Sequence, residues 1–400
     1  MITKIKLLAF TTAKTGAAWI SALWTFPSVL ASAMLIAWAA EAAQFLMSQG
    51  LALAILAWLQ TLPEFAVEAV IAFEASKDPE KIHLVTANFT GSLRLLTGVG
   101  WPMIFATAAF FYRKKKHKPL REIELENEHS IEVIGLVVSI LYFVWVYFKG
   151  TLNLWDSIWL TLIYAAYLYV LRKIPAKSEE EIGDLEYIPR MILSFRKAIR
   201  NAIIIGLFVA GGLILYFVAH PFLESMLAVA LAMGVSEFIF VQWVSPFLSE
   251  FPEKVSAFHW ARQARKAPMA LMNMVSSNIN QWTMLIAMIP IVYSYGVGST
   301  AEIRFDLHQK EEILLTLAQA FVGFMLLLNM SFSWYEAAGL FVLWLAQFVQ
   351  PHWRVELTYV YFAWFGIEVI KLFAGKRTLP AITEFVKLFR RHVLKKGLES

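Results

Sequence analysis

The sequence contains no cysteine in 400 residues. Disulfide frameworks, thiolate metal centres and cysteine nucleophiles are therefore excluded. Charge is also scarce: Asp, Glu, Lys and Arg make up 16% of the chain, against about a quarter in soluble proteins. A soluble domain of this length could not cover its surface with so few charges, and a disordered chain would carry more of them. Enzyme signatures are missing as well. There is no His-Glu-x-x-His zinc helix, no phosphate-binding loop and no dinucleotide fingerprint. No cofactor is expected. The net charge of +5 is not read as a nucleic-acid signal, because basic residues in an apolar chain usually set membrane orientation.

Apolar residues fill the gap: 59% of the chain is hydrophobic, and mean hydropathy is +0.59. The class is an all-α integral membrane protein whose main partner is the lipid bilayer. Apolar runs between polar or Pro/Gly breaks predict helices over about 17–47, 50–75, 84–112, 131–149, 153–171, 201–222, 225–258, 269–296, 312–331, 334–350 and 355–374. The first residues show no small-residue cleavage pattern, so no signal peptide is expected. Four basic stretches, Arg113–Arg121, Arg172–Arg200, Lys254–Lys266 and Lys371–Lys396, hold 25 of the 35 Lys and Arg. With eleven spans and an outside amino terminus, all four fall on the cytoplasmic side, as the positive-inside rule asks. Lys4, Lys6 and Lys14 would then lie outside; a further crossing before Trp19 would move them, but it is short of residues. The expected setting is a prokaryotic plasma (inner) membrane, with the carboxyl terminus cytoplasmic.

Two segments echo each other. Leu62-Pro63-Glu64 is followed by Asn88-Phe89-Thr90-Gly91-Ser92, and Phe251-Pro252-Glu253 by Asn273-Met274-Val275-Ser276-Ser277. The Pro-Glu pairs lie 189 residues apart and the Asn-to-Ser motifs 185. Five spans separate the copies, so the halves would cross the membrane in opposite directions. Inverted repeats of this kind are a recurring plan of secondary transporters. The expected units are a first repeat over 17–171, a charged linker over 172–200, an inverted second repeat over 201–350, and an extra span with a basic tail over 351–400.

A glutamate in mid-membrane is costly and needs a partner or a purpose. Proline removes a backbone N–H, which would leave carbonyls such as those of Leu59 and Leu248 free. Carbonyls and carboxylates are hard oxygen ligands suited to Na⁺ or Ca²⁺. Thr61 and Ser249 are spaced to share a helix face with Glu64 and Glu253, and Asn88 with Ser92 and Asn273 with Ser277 are each i,i+4 pairs. Bland alternatives stand beside these readings. The hydroxyls could bond their own helix, and Asn88 and Asn273 could be interhelical hydrogen bonds.

The motifs resemble the two α-repeats of the sodium/calcium exchanger (cation/calcium antiporter) superfamily. The carriers of the resemblance are Leu62-Pro63-Glu64, Asn88, Gly91-Ser92, Pro252-Glu253, Asn273, Ser277-Asn278 and the stretch Gly234-Val235-Ser236-Glu237. The resemblance implies about ten core helices in two inverted five-helix repeats, with the span at 355–374 as an addition. It also implies a cation site built on Glu64 and Glu253, completed by Thr61, Ser249, Ser92 and Ser277. Four residues after each motif serine, where the family usually has Asn or Asp, stand Leu96 and Gln281. Glu250 adds a third carboxylate, and Arg94 an unexpected cation. Arg94 lies about 200° around an ideal helix from Ser92; it is read as half of an ion pair, with Glu250 as one possible partner, or as a tethered charge in place of a bound cation. Glu68 is read as a cation entry residue or, the favoured reading, as simply near the membrane surface, and His220, His259 and Glu224 are placed at the interface. The implied function is exchange of Ca²⁺, or another cation, for Na⁺ or H⁺ by alternating access. The alternative is a non-transporting sensor or scaffold with the same fold.

Overall fold

The structure, a computed structural model, describes residues 2–43, 61–173, 185, 187–232, 234, 236–375 and 377–394. The first part of the expected 50–75 helix, with Leu59 and Gln60, lies outside the described residues. So do Val235, residues 174–184 and 186 of the charged linker and the last residues of the tail.

The fold is helical throughout, with four strands of two or three residues. Among the described residues, five helices are long and apolar enough to cross a bilayer: Ile20–Ala43, Pro79–Lys116, Asn127–Lys149, Leu154–Lys173 and Lys197–Ser225. Only helices can satisfy their backbone groups internally in lipid, closed barrels aside. Large apolar side chains such as Ile205, Tyr216 and Phe217 point outward from Lys197–Ala232, as they should where lipid is the neighbour.

The order of elements recurs along the chain. A 3₁₀ turn at Pro79–Lys81 leads into a helix at Ile82–Leu95, a π-helical turn at Leu96–Gly100 and a helix at Trp101–Lys116. Displaced by 185 residues, Ala264–Lys266, Ala267–Asn280, Gln281–Leu285 and Ile286–Val297 repeat the series. Strand β1 (Glu122–Glu124), helix Ser130–Lys149, strand β2 (Thr151–Leu152) and helix Leu154–Lys173 are followed in the second half by β3 (Ile303–Arg304), Leu307–Leu327, β4 (Ser331–Ser333) and Trp334–Val349. Strand β1 pairs with β4 and β2 with β3, both antiparallel. Exchanging the halves turns one strand pair into the other, which is the behaviour of a two-fold relation. The two long leading helices, Ile2–Ala43 and Lys197–Ala232, run antiparallel to each other: Thr25 meets Ser225 at 3.1 Å, and the Ser32 hydroxyl donates to the Gly211 carbonyl at 2.7 Å. Glycine is required at 211, because a Cβ there would lie 2.8 Å from Ile36 and 3.0 Å from the Ser32 carbonyl.

Two expected boundaries are corrected. The sequence suggests a break between 222 and 225, but Lys197–Ala232 runs on through Pro221. A kink at proline exposes fewer unpaired backbone groups to lipid than a full break would. The expected helix 225–258 is instead segmented into Glu237–Ile239, a π-helical turn at Phe240–Val244, Ser245–Ser249 and Phe251–Ala261. A helix, Arg354–Phe373, forms where the added span is expected and is fastened to the second half. Arg354 Nε reaches Glu312 at 2.9 Å, while Arg377, beyond the helix, binds Glu368 and donates to the Leu326 carbonyl at 2.7 Å and to Glu336 at 3.3 Å.

Candidate cation site

The two Pro-Glu pairs do not sit in mid-helix. Each proline lies in the first turn of a new helical segment, Leu62–Lys77 or Phe251–Ala261. Its missing N–H costs nothing there, since first-turn donors have no intrahelical partner. Glu64 and Glu253 fall in those first turns, where the positive end of the helix dipole favours a carboxylate. The second break is visible at Glu250, whose φ of −91° and ψ of 2° interrupt the run from Ser249 to Phe251. The Glu250 N–H closes the preceding segment on the Pro246 carbonyl at 3.0 Å.

Three carboxylates gather at these breaks. Glu64, Glu250 and Glu253 are 1%, 2% and 0% exposed. The Ser92 hydroxyl contacts both Glu64 Oε1 and Glu250 Oε1. Gln281 Nε2 donates to Glu64 Oε2 at 2.7 Å and to Glu250 Oε1 at 3.0 Å. Ser277 donates to Glu253 Oε1, while Glu253 Oε2 has no hydrogen-bond partner. Lys254 pairs with Glu250 Oε2. Glu250 is in electrostatic reach of both other carboxylates, so it stands between them rather than beside the site. A hydroxyl has a single proton to give. With two carboxylate oxygens on Ser92, the hydroxyl can donate to only one of them at a time. Among the described residues, no three acidic or imidazole side chains converge as a metal cage; five of the six carboxylate oxygens are taken up by Ser92, Gln281, Ser277 and Lys254, and Glu253 Oε2 is not.

The remaining expected residues divide. Thr61 accepts from Asn280 Nδ2 at 2.5 Å, and Asn280 carries no motif that the sequence reading singled out. Ser249 donates to the Pro246 carbonyl of its own helix at 3.3 Å, the bland reading. Asn88 donates to Glu68 Oε2 at 2.5 Å, the interhelical hydrogen bond among its two readings. Asn273 is half-buried, one turn before the fully buried Ser277. Glu68 is corrected from surface to core: it is 0% exposed. Lys254, grouped by sequence with cytoplasmic loop charges, is also buried and belongs to the site. His220 does lie at the surface, 3.6 Å from both Glu74 and Glu224.

Arg94 does not pair with Glu250. It points away from Ser92 and its Nη2 meets Glu312 at 2.5 Å, both side chains being 2% exposed. Nη1 donates to Gln347 at 3.1 Å, and Nε to the Thr90 carbonyl at 3.1 Å. Glu312 also accepts from Gln242 at 2.8 Å and from Arg354. The guanidinium sits 5.1 Å from the Trp243 ring centre, a cation–π distance. Only the acidic start of the helix at Leu307 hints at Glu312 in the sequence.

Comparisons agree with this architecture. The family model described as sodium/calcium exchanger protein matches residues 16–173 and 203–349. A solved H⁺/Ca²⁺ exchanger, CAX, is 31% identical over 98% of both chains with a TM-score of 0.84. The sodium-calcium exchanger NCX_Mj, at 15% identity and TM-score 0.54, covers 84% of this chain and 99% of its own; YfkE, at 15% and 0.55, covers 89% and 97%. These two show the shared fold. A search among curated proteins returned no match. With both halves matched, the chain belongs to the sodium/calcium exchanger protein family and is a multi-pass membrane protein.

Proposed function

We propose that this protein is a secondary-active antiporter that moves Ca²⁺ against protons through the cluster of Glu64, Glu250 and Glu253. The observation that carries the reading is the Ser92 hydroxyl between two carboxylate oxygens, with Gln281 bridging the same pair. That cluster is a store for exchangeable positive charge: carboxyl groups that share protons in one state can release them to a divalent cation in another. Both species bind the same oxygens, so they compete, and competition at one site is the physical basis of exchange. Entry of the cation would displace the Ser92, Gln281 and Lys254 donors from the carboxylates. Leu96, which offers no ligand atom, favours protons over Na⁺ as the counter-ion. The 31% identical relative, an H⁺/Ca²⁺ exchanger, supports the same choice.

The recurring element series, the crossed strand pairs and the antiparallel leading helices support two inverted repeats over 17–171 and 201–350. Movement of the helices Ile2–Ala43 and Lys197–Ala232 against the rest would open the site to each side in turn. The protein would lie in the inner membrane with its carboxyl terminus cytoplasmic. A second reading, a non-transporting cation sensor, is favoured by one observation: the Lys254 ammonium already neutralises Glu250.

Proteoliposomes separate these readings. Ca²⁺ uptake driven by a pH jump, and indifferent to a Na⁺ gradient, is the expected outcome. Uptake driven by Na⁺ alone overturns the proton assignment. Ca²⁺ binding without any flux favours the sensor.

A further inference from the structure

Glu68 lies one helical turn beyond Glu64 on Leu62–Lys77, toward the Lys77 end, and is shut off from solvent. Asn88 donates through Nδ2 to Glu68 Oε2 at 2.5 Å. The other half of each side chain is unmatched: Glu68 Oε1 and Asn88 Oδ1 are both buried without a hydrogen-bond partner. Among the described residues, no Lys, Arg or His forms an ion pair with Glu68. A carboxylate in this position would be an uncompensated charge inside the membrane.

A carboxylic acid and a primary amide form a closed pair through two hydrogen bonds. The amide N–H gives to one carboxyl oxygen, and the acid O–H gives to the amide oxygen. Half of this ring is present. One proton on Glu68 Oε1, donated to Asn88 Oδ1, completes it, satisfies both orphaned oxygens and removes the charge. We propose that Glu68 and Asn88 form a second proton-binding site, separate from the three-carboxylate cluster. The step is addition of H⁺ to the Glu68 carboxylate, and no other bond changes.

Among the described residues the surroundings offer no competing counter-charge: over 20–43 the neighbouring helix Ile2–Ala43 carries Glu41 as its only charged residue. Ile82–Leu95 presents Asn88 here, and Ser245–Ser249 has no charged residue. Ile286–Val297 contains Tyr293 and Tyr295 as its titratable groups, and Tyr295 stacks further along on Phe73. His220 and Glu224 of Lys197–Ala232 gather with Lys77 and Lys81 around Glu74, past the next turn. Glu64 is the nearest acid on the same helix. Glu68 therefore stands between the buried cluster and the surface group at Glu74, where a proton can be held on the way between them. That role in transport rests on the antiporter reading, whereas the protonation itself does not.

Infrared spectroscopy of the full chain in lipid tests the site, in the C=O stretch region of protonated carboxylic acids. Glu68→Gln, which keeps the shape and the amide contact, is expected to remove one band from the wild-type spectrum. Asn88→Leu is expected to move that same band to higher frequency, since the carbonyl loses its amide donor. A wild-type band pattern in Glu68→Gln overturns the proposal, and so does an unmoved band in Asn88→Leu. Should Glu68→Gln fail to fold, the shift in Asn88→Leu decides alone. Loss of flux with an intact Glu68 band counts against the antiporter reading and leaves this site standing.

Discussion

Replacing Arg94 with Met would remove the guanidinium while keeping much of the side-chain volume. In the structure, Arg94 holds Glu312 at 2.5 Å, Gln347 at 3.1 Å and the Thr90 carbonyl at 3.1 Å. Removing one partner of a buried ion pair costs about 3–5 kcal/mol, mostly through the charge left behind. Here Glu312 is not stranded, because Arg354 stays at 2.9 Å on Oε1 and Gln242 at 2.8 Å on Oε2. The expected loss is therefore at the lower end, about 3 kcal/mol, or roughly a hundredfold in the folding equilibrium. Reversible unfolding in mixed micelles, followed by fluorescence of the 15 tryptophans, measures it. Arg94→Met with Glu312→Leu should recover part of the loss, since the double change removes the buried carboxylate and leaves Arg354 with Glu311, 3.8 Å away. Ca²⁺ selectivity in liposomes should stay as in the wild type. Unchanged stability together with altered selectivity would refute the reasoning and make Arg94 a tethered stand-in for a cation.

Three further outcomes follow from the geometry. A Cβ at Gly91 would lie 1.8 Å from the Gln242 carbonyl, and backbone cannot step aside as a side chain can; Gly91→Ala should cost about 3 kcal/mol, the upper end of overpacking, whereas Gly206→Ala, with open space around it, should be neutral or slightly stabilising in thermal unfolding. Lys254→Met leaves Glu250 without its ammonium, so the melting temperature of that variant should rise more steeply with added Ca²⁺ than that of the wild type; parallel titrations would count against Lys254 as an internal counter-charge. Among the described residues, Ser277 gives Glu253 its sole side-chain hydrogen bond, which Ser277→Ala removes, whereas Ser249 bonds its own helix. A hydrogen bond to a charged group is worth about 1.5–3 kcal/mol, so Ca²⁺ flux at limiting concentration should fall tenfold or more in Ser277→Ala and less than twofold in Ser249→Ala.

Much of this was legible in the sequence, because lipid imposes simple rules. The helices around 84–112, 131–149 and 153–171 follow from apolar length alone, while those around 269–296, 334–350 and 355–374 form as shorter or less apolar helices. That Ser92 and Ser277 belong to the site of Glu64 and Glu253 is what the family resemblance implies. What escaped was set by contacts between distant segments. Arg94 finds Glu312 across 218 residues, and nothing local distinguishes that partner from Glu250. Glu68 looked peripheral because it trails Glu64 toward a charged loop, yet Asn88 on the neighbouring helix draws it inward. Lys254 was grouped with loop charges by its neighbours in sequence, although its pairing with Glu250 is a local i,i+4 contact. Pro221 and the π-helical turns are likewise choices among backbone states that packing decides, not composition.

The central claim is that exchangeable positive charge passes through Glu64, Glu250 and Glu253. Radiolabelled Ca²⁺ uptake into proteoliposomes, driven by an imposed pH gradient, tests it most directly when wild type is compared with Glu64→Gln plus Glu253→Gln at matched reconstitution. The account predicts that uptake in the double variant falls to the level of protein-free vesicles. Uptake at the wild-type rate would contradict it.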